Sequence, residues 1–137
     1  MNKTITISAE VAAPIEKVWE YWTNPKHITK WAFASDDWEA PHAENDLRTG
    51  GKFLTRMQAK DGSAGFDLTG EYNEVVQNER IAYTMDDGRT VVTIFEGTDE
   101  GTHIVSTFEM ENENPEEMQR EGWQSILNNF KKHVEEN

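Results

Sequence analysis

The side chains suited to general acid–base chemistry lie on or beside predicted β-strands, and their spacing matches no catalytic motif. A tyrosine or arginine that faced inward could orient a carbonyl group. Tyr83 is the best suited to this, because a tyrosine combines an apolar ring with a polar tip. Arg48 and Arg56 are better explained as partners of surface carboxylates. The full set of candidates is Arg48, Arg56, Glu71, Tyr72, Tyr83 and His103. The pattern leaves enzymatic activity open, and we predict no catalytic residue from it.

Nucleophilic and metal-dependent chemistry find little support in the residue types. The chain has no cysteine, which excludes disulfides and thiolate zinc sites, and neither Ser106 nor Ser125 lies in a nucleophile-elbow motif. The stretch Gly50-Gly51-Lys52 lacks the spacing of a phosphate-binding loop and is typical of a hairpin turn. The histidines lack the spacing of ligand pairs on a helix or hairpin: His27, His42, His103 and His133. We therefore predict neither a metal nor a cofactor.

The chain is strongly acidic, with a net charge of −13 from 26 acidic and 13 basic residues. Because it has no basic run to neutralise phosphates, we exclude nucleic acid as a partner, and an acidic membrane surface is disfavoured for the same reason. Solubility explains the acidity, although a basic protein partner is also consistent with it. Residues 1–6 lack the apolar run of a signal peptide, and no stretch approaches a membrane span. We expect a cytoplasmic location without membrane insertion.

The elements that must position these side chains begin with the C-terminal segment, where residues 114–136 predict one long amphipathic helix. Its apolar residues recur at spacings of three and four, at Trp123, Ile126, Leu127, Phe130 and Val134. Asn114 is a plausible N-cap, Pro115 suits the first helical position, and Glu117 is placed as a capping-box acid. Acidic residues crowd the start of the helix and Lys131, Lys132 and His133 its end, which complements the helix dipole.

The N-terminal part of the chain predicts one strand followed by two short helices. Residues 3–11 alternate, with Ile5, Ile7, Ala9 and Val11 on one face. A helix then opens at Ala13-Pro14 and repeats apolar residues at Ile15, Val18, Trp19 and Trp22. Asn24-Pro25 ends that helix, since the residue before a proline disfavours the α conformation. A second helix is predicted from Pro25 to about Lys30, with Ile28 and Trp31 facing inward.

Residues 38–110 predict five or six β-strands in a meander. Short turn signals separate alternating or apolar segments, at Gly50-Gly51, Asp61-Gly62, Asn78-Glu79, Asp86-Asp87-Gly88 and Gly97 to Gly101. Short connections place successive strands next to each other in antiparallel pairs. A sheet this wide must hide its apolar face, and the terminal helix is the element long enough to cover it. The sequence therefore predicts a single α+β domain spanning residues 1–137.

This order of elements, with the residues that mark it, resembles the START-like (SRPBCC) superfamily, and within it the C-terminal domain of the activator of the heat-shock protein 90 ATPase. The resemblance is carried by VAAPIEKVW (11–19), PKHITKW (25–31), DLRTGGKF (46–53), GEYNEV (70–75), ERIAYT (79–84) and GW (122–123). It implies a helix-grip fold, in which a curved antiparallel β-sheet wraps around a long C-terminal α-helix and two short helices follow strand 1. It also implies a cavity between helix and sheet that can hold an apolar or amphipathic small molecule.

Alternation and helical spacing then suggest which residues line such a cavity. The candidates are Phe53, Met57, Phe66, Leu68, Tyr83, Met85 and Phe108 on strands, opposite Trp123, Leu127 and Phe130 on the helix. Aromatic and flexible methionine side chains suit an adaptable pocket. Gly122 interrupts the helix at a cost of roughly 1 kcal/mol relative to alanine. It could permit close packing against the early helices, or it could leave room for a ligand.

Three functions are consistent with these observations. The favoured one is a binding domain for a small hydrophobic or amphipathic ligand. The resemblance also allows a cyclase, aromatase or hydrolase-like enzyme, which would need two or more polar residues beside Tyr83 in the pocket. The third is an acidic, co-chaperone-like module that binds a protein partner, as the net charge would permit. The sequence does not define the oligomeric state.

Overall fold

The computed structural model describes residues 3–137; Met1 and Asn2, which belong to the N-terminal segment discussed above, lie outside the described residues. The order of elements is the predicted one, and six strands follow the two short helices in the described part of the chain. The bounds are β1 Thr4–Val11, α1 Ile15–Thr23, α2 Pro25–Trp31, β2 Trp38–Asn45, β3 Lys52–Ala59, β4 Gly65–Val76, β5 Arg80–Met85, β6 Thr90–Thr98, β7 Gly101–Glu109 and α3 Glu116–Glu136.

These strands form one antiparallel sheet with the order β1-β7-β6-β5-β4-β3-β2. Consecutive strands from β2 to β7 are neighbours, which confirms the predicted meander, and β1 pairs with β7 along its whole length. A register shift between Tyr72 and Glu74 inserts an extra residue into β4, and such a bulge bends the strand. The sheet curls into a half-barrel that grips α3, so the predicted helix-grip fold is confirmed.

The two short helices meet at Asn24, which ends one and caps the other. The N–H of Asn24 donates to the carbonyl of Glu20 (2.9 Å), and its side-chain oxygen accepts from the N–H of Lys26 (3.0 Å). Pro25 then occupies the first turn of α2, where its missing N–H costs nothing. The chain turns sharply at this point, so that α2 lies against the edge strand β2.

An aromatic cluster joins these helices to the sheet and to α3. The rings of Trp22 and Trp31 both contact Phe130 of α3 edge-on, with centroids 4.8 and 4.9 Å apart. Trp19 and Trp22 contact Phe95 of β6 at 5.4 and 5.5 Å, again in edge-to-face geometry. Such pairs stabilise beyond their buried area by about 0.5–1.5 kcal/mol each. The cluster therefore fixes α1 and α2 between the sheet and the long helix.

The start of α3 differs from the prediction by one residue. Pro115, with φ −59° and ψ 149°, is the N-cap residue and makes no side-chain cap. Asn114 therefore lies before the cap, and Glu117 is not in a capping-box position. The reason is Gln119, whose side chain accepts from the N–H of Glu111 (2.9 Å) and donates to the carbonyl of Asn114 (2.8 Å). These bonds order the loop before α3 without a conventional cap.

Polar side chains of α3 cover the outer edge of β1. Three of them donate to carbonyl oxygens of that strand: Arg120 to Thr6 (3.2 Å), Gln124 to Ser8 (3.1 Å) and Lys131 to Glu10 (2.7 Å). In return, the carboxylate of Glu135 accepts from the N–H of Ala12 (2.8 Å). The charged residues of α3 therefore anchor the helix to the sheet edge as well as complementing its dipole. This anchoring leaves the opposite side of α3 facing the remaining strands.

Candidate functional site

A cavity of about 500 Å³ lies between α3 and the concave face of the sheet. Its volume falls within the range of small-molecule sites, roughly 300–1,000 Å³. Strands β3 to β7 and Ile7 of β1 supply one wall, and the three helices supply the other. Eight of the ten residues predicted to contact a ligand lie in this lining: Phe53, Met57, Phe66, Leu68, Tyr83, Met85, Trp123 and Leu127. Ligand contact itself stays a prediction for all of them.

Phe108 and Phe130 are not brought into the cavity lining, contrary to the prediction. Both are completely buried. The ring of Phe108 stacks under Trp123, with centroids 4.1 Å apart and planes within 9°, and Phe130 is enclosed by the tryptophans of α1 and α2. Strand alternation for Phe108 and helical spacing for Phe130 predicted that they face inward, but Trp123 packs on the first and Trp22 and Trp31 pack on the second. They support the cavity walls.

The cavity reaches solvent beside Phe66, which lines it and is 49% exposed. Trp38 of β2 lies next to this ring, with centroids 6.2 Å apart. Gly122 adds free space on α3, because a Cβ placed there would meet no atom within 4 Å. Close packing of Gly122 against the early helices, one of its two predicted explanations, is therefore wrong. Gly122 is not itself part of the described lining.

The lining includes residues that sequence reasoning placed elsewhere or missed. Trp22, Ile28 and Trp31 were predicted to face inward, and they border the cavity as well as the core. Ile126 belongs to the predicted apolar face of α3. The polar members that were not predicted as ligand contacts are Thr55, Tyr72, Arg89, Thr93, Ser106, Glu111 and Gln119. Two-residue alternation on β4 could have predicted Tyr72. Arg89 follows a turn signal, and no sequence pattern indicated that it lines the cavity.

Two tyrosines face each other across β4 and β5, since Tyr72 pairs with Tyr83 in the strand register. The hydroxyl of Tyr72 donates to the side-chain oxygen of Asn45 (2.6 Å), which in turn donates to the carbonyl of Thr23 (2.7 Å). Burial raises the pKa of Tyr72 to about 12, against the opposing effect of that hydrogen bond. Tyr72 is thus tied through Asn45 to the end of α1.

The hydroxyl of Tyr83 has no hydrogen-bond partner among residues 3–137. Burial raises its pKa well above the usual value of 10, the nearby Tyr72 acts in the same direction, and the charge of Arg89 acts against them. The side chain is half-buried, and it lines the cavity. Tyr83 therefore presents an un-ionised phenol with a free donor to whatever occupies the space.

Arg89 enters the cavity from the β5–β6 hairpin. Gly88, with φ +93°, makes the turn, and the N–H of Met85 donates to the carbonyl of Arg89 (2.8 Å). Arg89 Nε donates to the carboxylate of Asp87 (2.7 Å), and only 21% of the Arg89 side chain is exposed. That partner, together with the backbone N–H of Arg89, lowers the pKa of Asp87 despite some burial. The pair holds a guanidinium at the cavity wall.

A buried hydroxyl pair completes the polar lining. Thr93 and Ser106 are opposite each other on β6 and β7, and their side-chain oxygens are 2.9 Å apart. Ser106, which lies in no nucleophile-elbow motif, is held by this cross-strand bond. Neither histidine nor cysteine occurs in the described lining, whose ionisable groups are Arg89, Glu111 and the two tyrosines.

The other residues considered for acid–base chemistry lie outside the cavity. Arg48 pairs with Asp46 at 3.0 Å, and Arg56 pairs with Asp67 at 3.5 Å, as surface arginines were expected to do. His103 pairs with Glu10 on the outer face of the sheet. Glu71 is exposed opposite Lys52. In residues 3–137, no group of three or more histidine or acidic side chains is placed to hold a metal, and no helix could span a membrane.

Solved structures show the same architecture. The AHSA1-like protein from Aeromonas hydrophila is 42% identical to this chain, with 98% of this chain and 93% of that one covered and a TM-score of 0.92. A protein from Cytophaga hutchinsonii is 49% identical, with 99% and 93% covered and a TM-score of 0.81. A protein of unknown function from Staphylococcus aureus is 18% identical and shares the fold with a TM-score of 0.76, with 99% of this chain and 95% of that one covered.

No protein with a curated function matches this chain. The family model described as "Activator of Hsp90 ATPase homolog 1-like protein" matches residues 12–135, which includes α1, α2, all but the last residue of α3 and all of the cavity lining except Ile7. The predicted START-like resemblance is thereby confirmed, and the chain belongs to the Activator of Hsp90 ATPase homolog 1-like family.

Proposed function

We propose that this protein binds a small hydrophobic or amphipathic molecule in the cavity between α3 and the sheet. The observation that carries the proposal is the cavity itself, about 500 Å³ of largely apolar space that reaches solvent at Phe66. A core evolved only for stability is normally packed without such voids, because empty volume forfeits dispersion contacts. Apolar walls with a few polar groups are typical of small-molecule sites.

The proposal predicts that nile red, a neutral dye that fluoresces in apolar surroundings, binds the wild-type protein. Leu68→Trp should weaken that binding by about tenfold or more, because the larger side chain occupies the cavity that Leu68 lines. The matched control is Ile94→Trp, which places the same side chain on the solvent face of β6, where Ile94 is 42% exposed. Fluorescence titration of the three proteins measures the difference.

Equal affinity of the Leu68→Trp and Ile94→Trp proteins would place the dye outside the cavity and contradict the proposal. The proposal would also be contradicted if none of the three proteins bound the dye saturably although each unfolded cooperatively. Thermal unfolding monitored by circular dichroism therefore accompanies each titration. Dye binding to the native protein should also raise its unfolding midpoint, since a ligand that binds only the folded state stabilises it.

An enzyme acting on a carbonyl compound is the second candidate. The condition set for it was two or more polar residues beside Tyr83, and Tyr72 and Arg89 meet that condition. Because the pKa of both tyrosines is raised, neither would serve as a base at neutral pH. Their chemistry would be donation to a substrate oxygen. Binding of a basic protein partner and a cytoplasmic location stay predictions from composition.

A further inference from the structure

We propose that the ligand carries a carboxylate and that the Arg89 guanidinium and the Tyr83 hydroxyl bind it. This inference rests on the proposed function, because it names the chemistry of the molecule that fills the cavity. Its basis is that one cation and one free phenol donor lie together on a largely apolar wall.

The strand register places the two side chains on the same face. Thr84 pairs with Thr90 across β5 and β6, so Arg89 lies opposite Met85 at the end of this ladder. Met85 and Tyr83 are two residues apart and both line the cavity. Arg89 is therefore the diagonal neighbour of Tyr83, a separation that a long side chain spans. The charge of Arg89 acts on the Tyr83 phenol, as expected for neighbours.

Both groups have unused donors. A guanidinium has five N–H donors, and Asp87 takes the one on Nε, at 2.7 Å; the two terminal nitrogens of Arg89 have no partner among residues 3–137. The Tyr83 hydroxyl has none either. These donor atoms are accessible rather than sealed in the core, and a ligand in the cavity can supply their acceptors. A carboxylate offers two oxygens with the planar geometry that matches a guanidinium.

Arg89 offers an anion its terminal N–H donors despite the acidic surface, and Asp87, which pairs with its Nε, offsets part of its charge. The net charge of −13 acts mainly through water and is screened over about 8 Å at physiological salt, whereas Arg89 is at the wall. Glu111 is the other ionised group in the lining, and it accepts from the side chain of Asn114 before α3. The Glu111 carboxylate gives the competing prediction that the ligand carries an amine.

The test compares three ten-carbon compounds that share a tail and differ in their head: decanoate, decanol and decylamine. The affinity of each compound is measured by its displacement of nile red from the protein, at neutral pH and below the micelle-forming concentration of the compound. Wild-type protein should bind decanoate about tenfold or more tightly than decanol, and decylamine no better than decanol. A charge-assisted hydrogen bond in a protected site is of this size.

Arg89→Gln should weaken the binding of decanoate about tenfold or more and change the affinity for decanol less than about threefold, because only the charged head group loses its partner. Tyr83→Phe removes one hydroxyl without changing the ring, and it should weaken decanoate several-fold with the same selectivity. The matched control is Arg56→Gln, which removes the same charge from an arginine that pairs with Asp67 outside the cavity. It should leave the preference for decanoate intact.

Several outcomes would overturn the carboxylate assignment. They are equal binding of decanoate and decanol, tighter binding of decylamine, or a decanoate preference that survives both Arg89→Gln and Tyr83→Phe. In each of these cases nile red and decanol still bind, so the cavity function stands. If neither dye nor decanol binds, the proposed function itself fails. Should Arg89→Gln not fold, Tyr83→Phe and the wild-type selectivity decide the assignment.

Discussion

Gly70 and Gly122 both interrupt regular secondary structure, yet their surroundings differ completely. A Cβ on Gly70 in β4 would lie 2.8 Å from the Phe53 ring and 2.8 Å from the carbonyl oxygen of Thr84. The Phe53 ring therefore covers bare backbone at this point, and it also contacts Tyr83 edge-on at 4.8 Å. A Cβ on Gly122 meets open space. The first glycine is required by packing, and the second is not.

We expect Gly70→Ala to lower the free energy of unfolding by about 1–3 kcal/mol, because the Phe53 ring or the backbone must move. Gly122→Ala should raise it by about 0.5–1 kcal/mol, since alanine is the better helix former and its methyl group is accommodated. Urea denaturation of the two variants and the wild type measures both changes. A stabilised Gly70→Ala protein, or a Gly122→Ala protein destabilised by a similar amount, would contradict this account.

The candidate site shows what residue patterns can and cannot predict. Tyr83 was accessible to reasoning because alternation on β5 places it on the same face as Met85. Arg89 was not, since it follows Asp86-Asp87-Gly88, where charged residues normally face solvent; only the hairpin register brings it under the helix. Phe108 shows the opposite failure. Its facing direction was correct, but the stacking of Trp123 on it depends on where α3 lies.

At the scale of elements, the three helices meet at a pair of histidines. His27 of α2 and His133 of α3 have ring nitrogens 3.0 Å apart, and Tyr21 of α1 stacks on His27 with centroids 3.8 Å apart. Burial lowers the pKa of His133 below its usual value, and the positive charges of His27, Lys30 and Lys17 act in the same direction. The contact between α2 and α3 therefore favours an unprotonated His133.

This arrangement predicts stability that depends on pH. The unfolded chain takes up a proton near the ordinary histidine pKa of about 6.5, and the folded chain resists it. The contribution of His133 is therefore complete above about pH 6.5 and is lost as the pH falls below that value towards the lowered folded pKa. His133→Gln should show a smaller loss of stability than the wild type between about pH 7.5 and about pH 5.5.

Urea denaturation at several pH values measures the slope of the free energy of unfolding against pH. The control is His42→Gln, which changes an exposed histidine of β2 that pairs with Glu44 away from the helices. This variant should keep the wild-type slope. An unchanged slope in His133→Gln would show that other groups cause the dependence of stability on pH.

The elements were the part of the fold most open to prediction. Apolar periods of two and of three to four separate strands from helices, and the short turn signals set the neighbours in the sheet. The start of α3 was the exception, because Gln119 bonds back to the preceding loop and replaces the expected cap. Such a bond joins residues five to eight positions apart through a side chain, and no propensity scale represents it.

At the scale of the whole molecule, the acidic surface should limit stability at low ionic strength. The excess of 26 acidic over 13 basic residues implies self-repulsion, and the ion pairs that oppose it are mostly on the surface, where each contributes little. Raising NaCl from about 10 mM to about 150 mM shortens the screening length from about 30 Å to about 8 Å. The thermal midpoint should therefore rise over this range.

Repeating the scan with KCl distinguishes screening from binding of a particular cation, since both salts should give the same rise. A midpoint that falls with salt would mean that attractive pairs outweigh the repulsion.

The global architecture was predictable because six short motifs occur in the order typical of one superfamily. The cavity size was not, because it depends on how far α3 lies from the central strands once its side chains hold it to β1.

The hydrogen bonds from α3 to β1 also decide how the sheet ends. An open antiparallel sheet offers unpaired carbonyls and N–H groups that can template the strand of another molecule, the first step of edge-to-edge aggregation. Arg120, Gln124 and Lys131 occupy those carbonyls on β1. At the opposite edge, β2 carries Pro41 within a register shift, which interrupts the regular ladder. Both edge strands of the sheet are therefore protected against pairing with a strand of another molecule. The protein keeps an open cavity at its centre without exposing an edge that promotes aggregation.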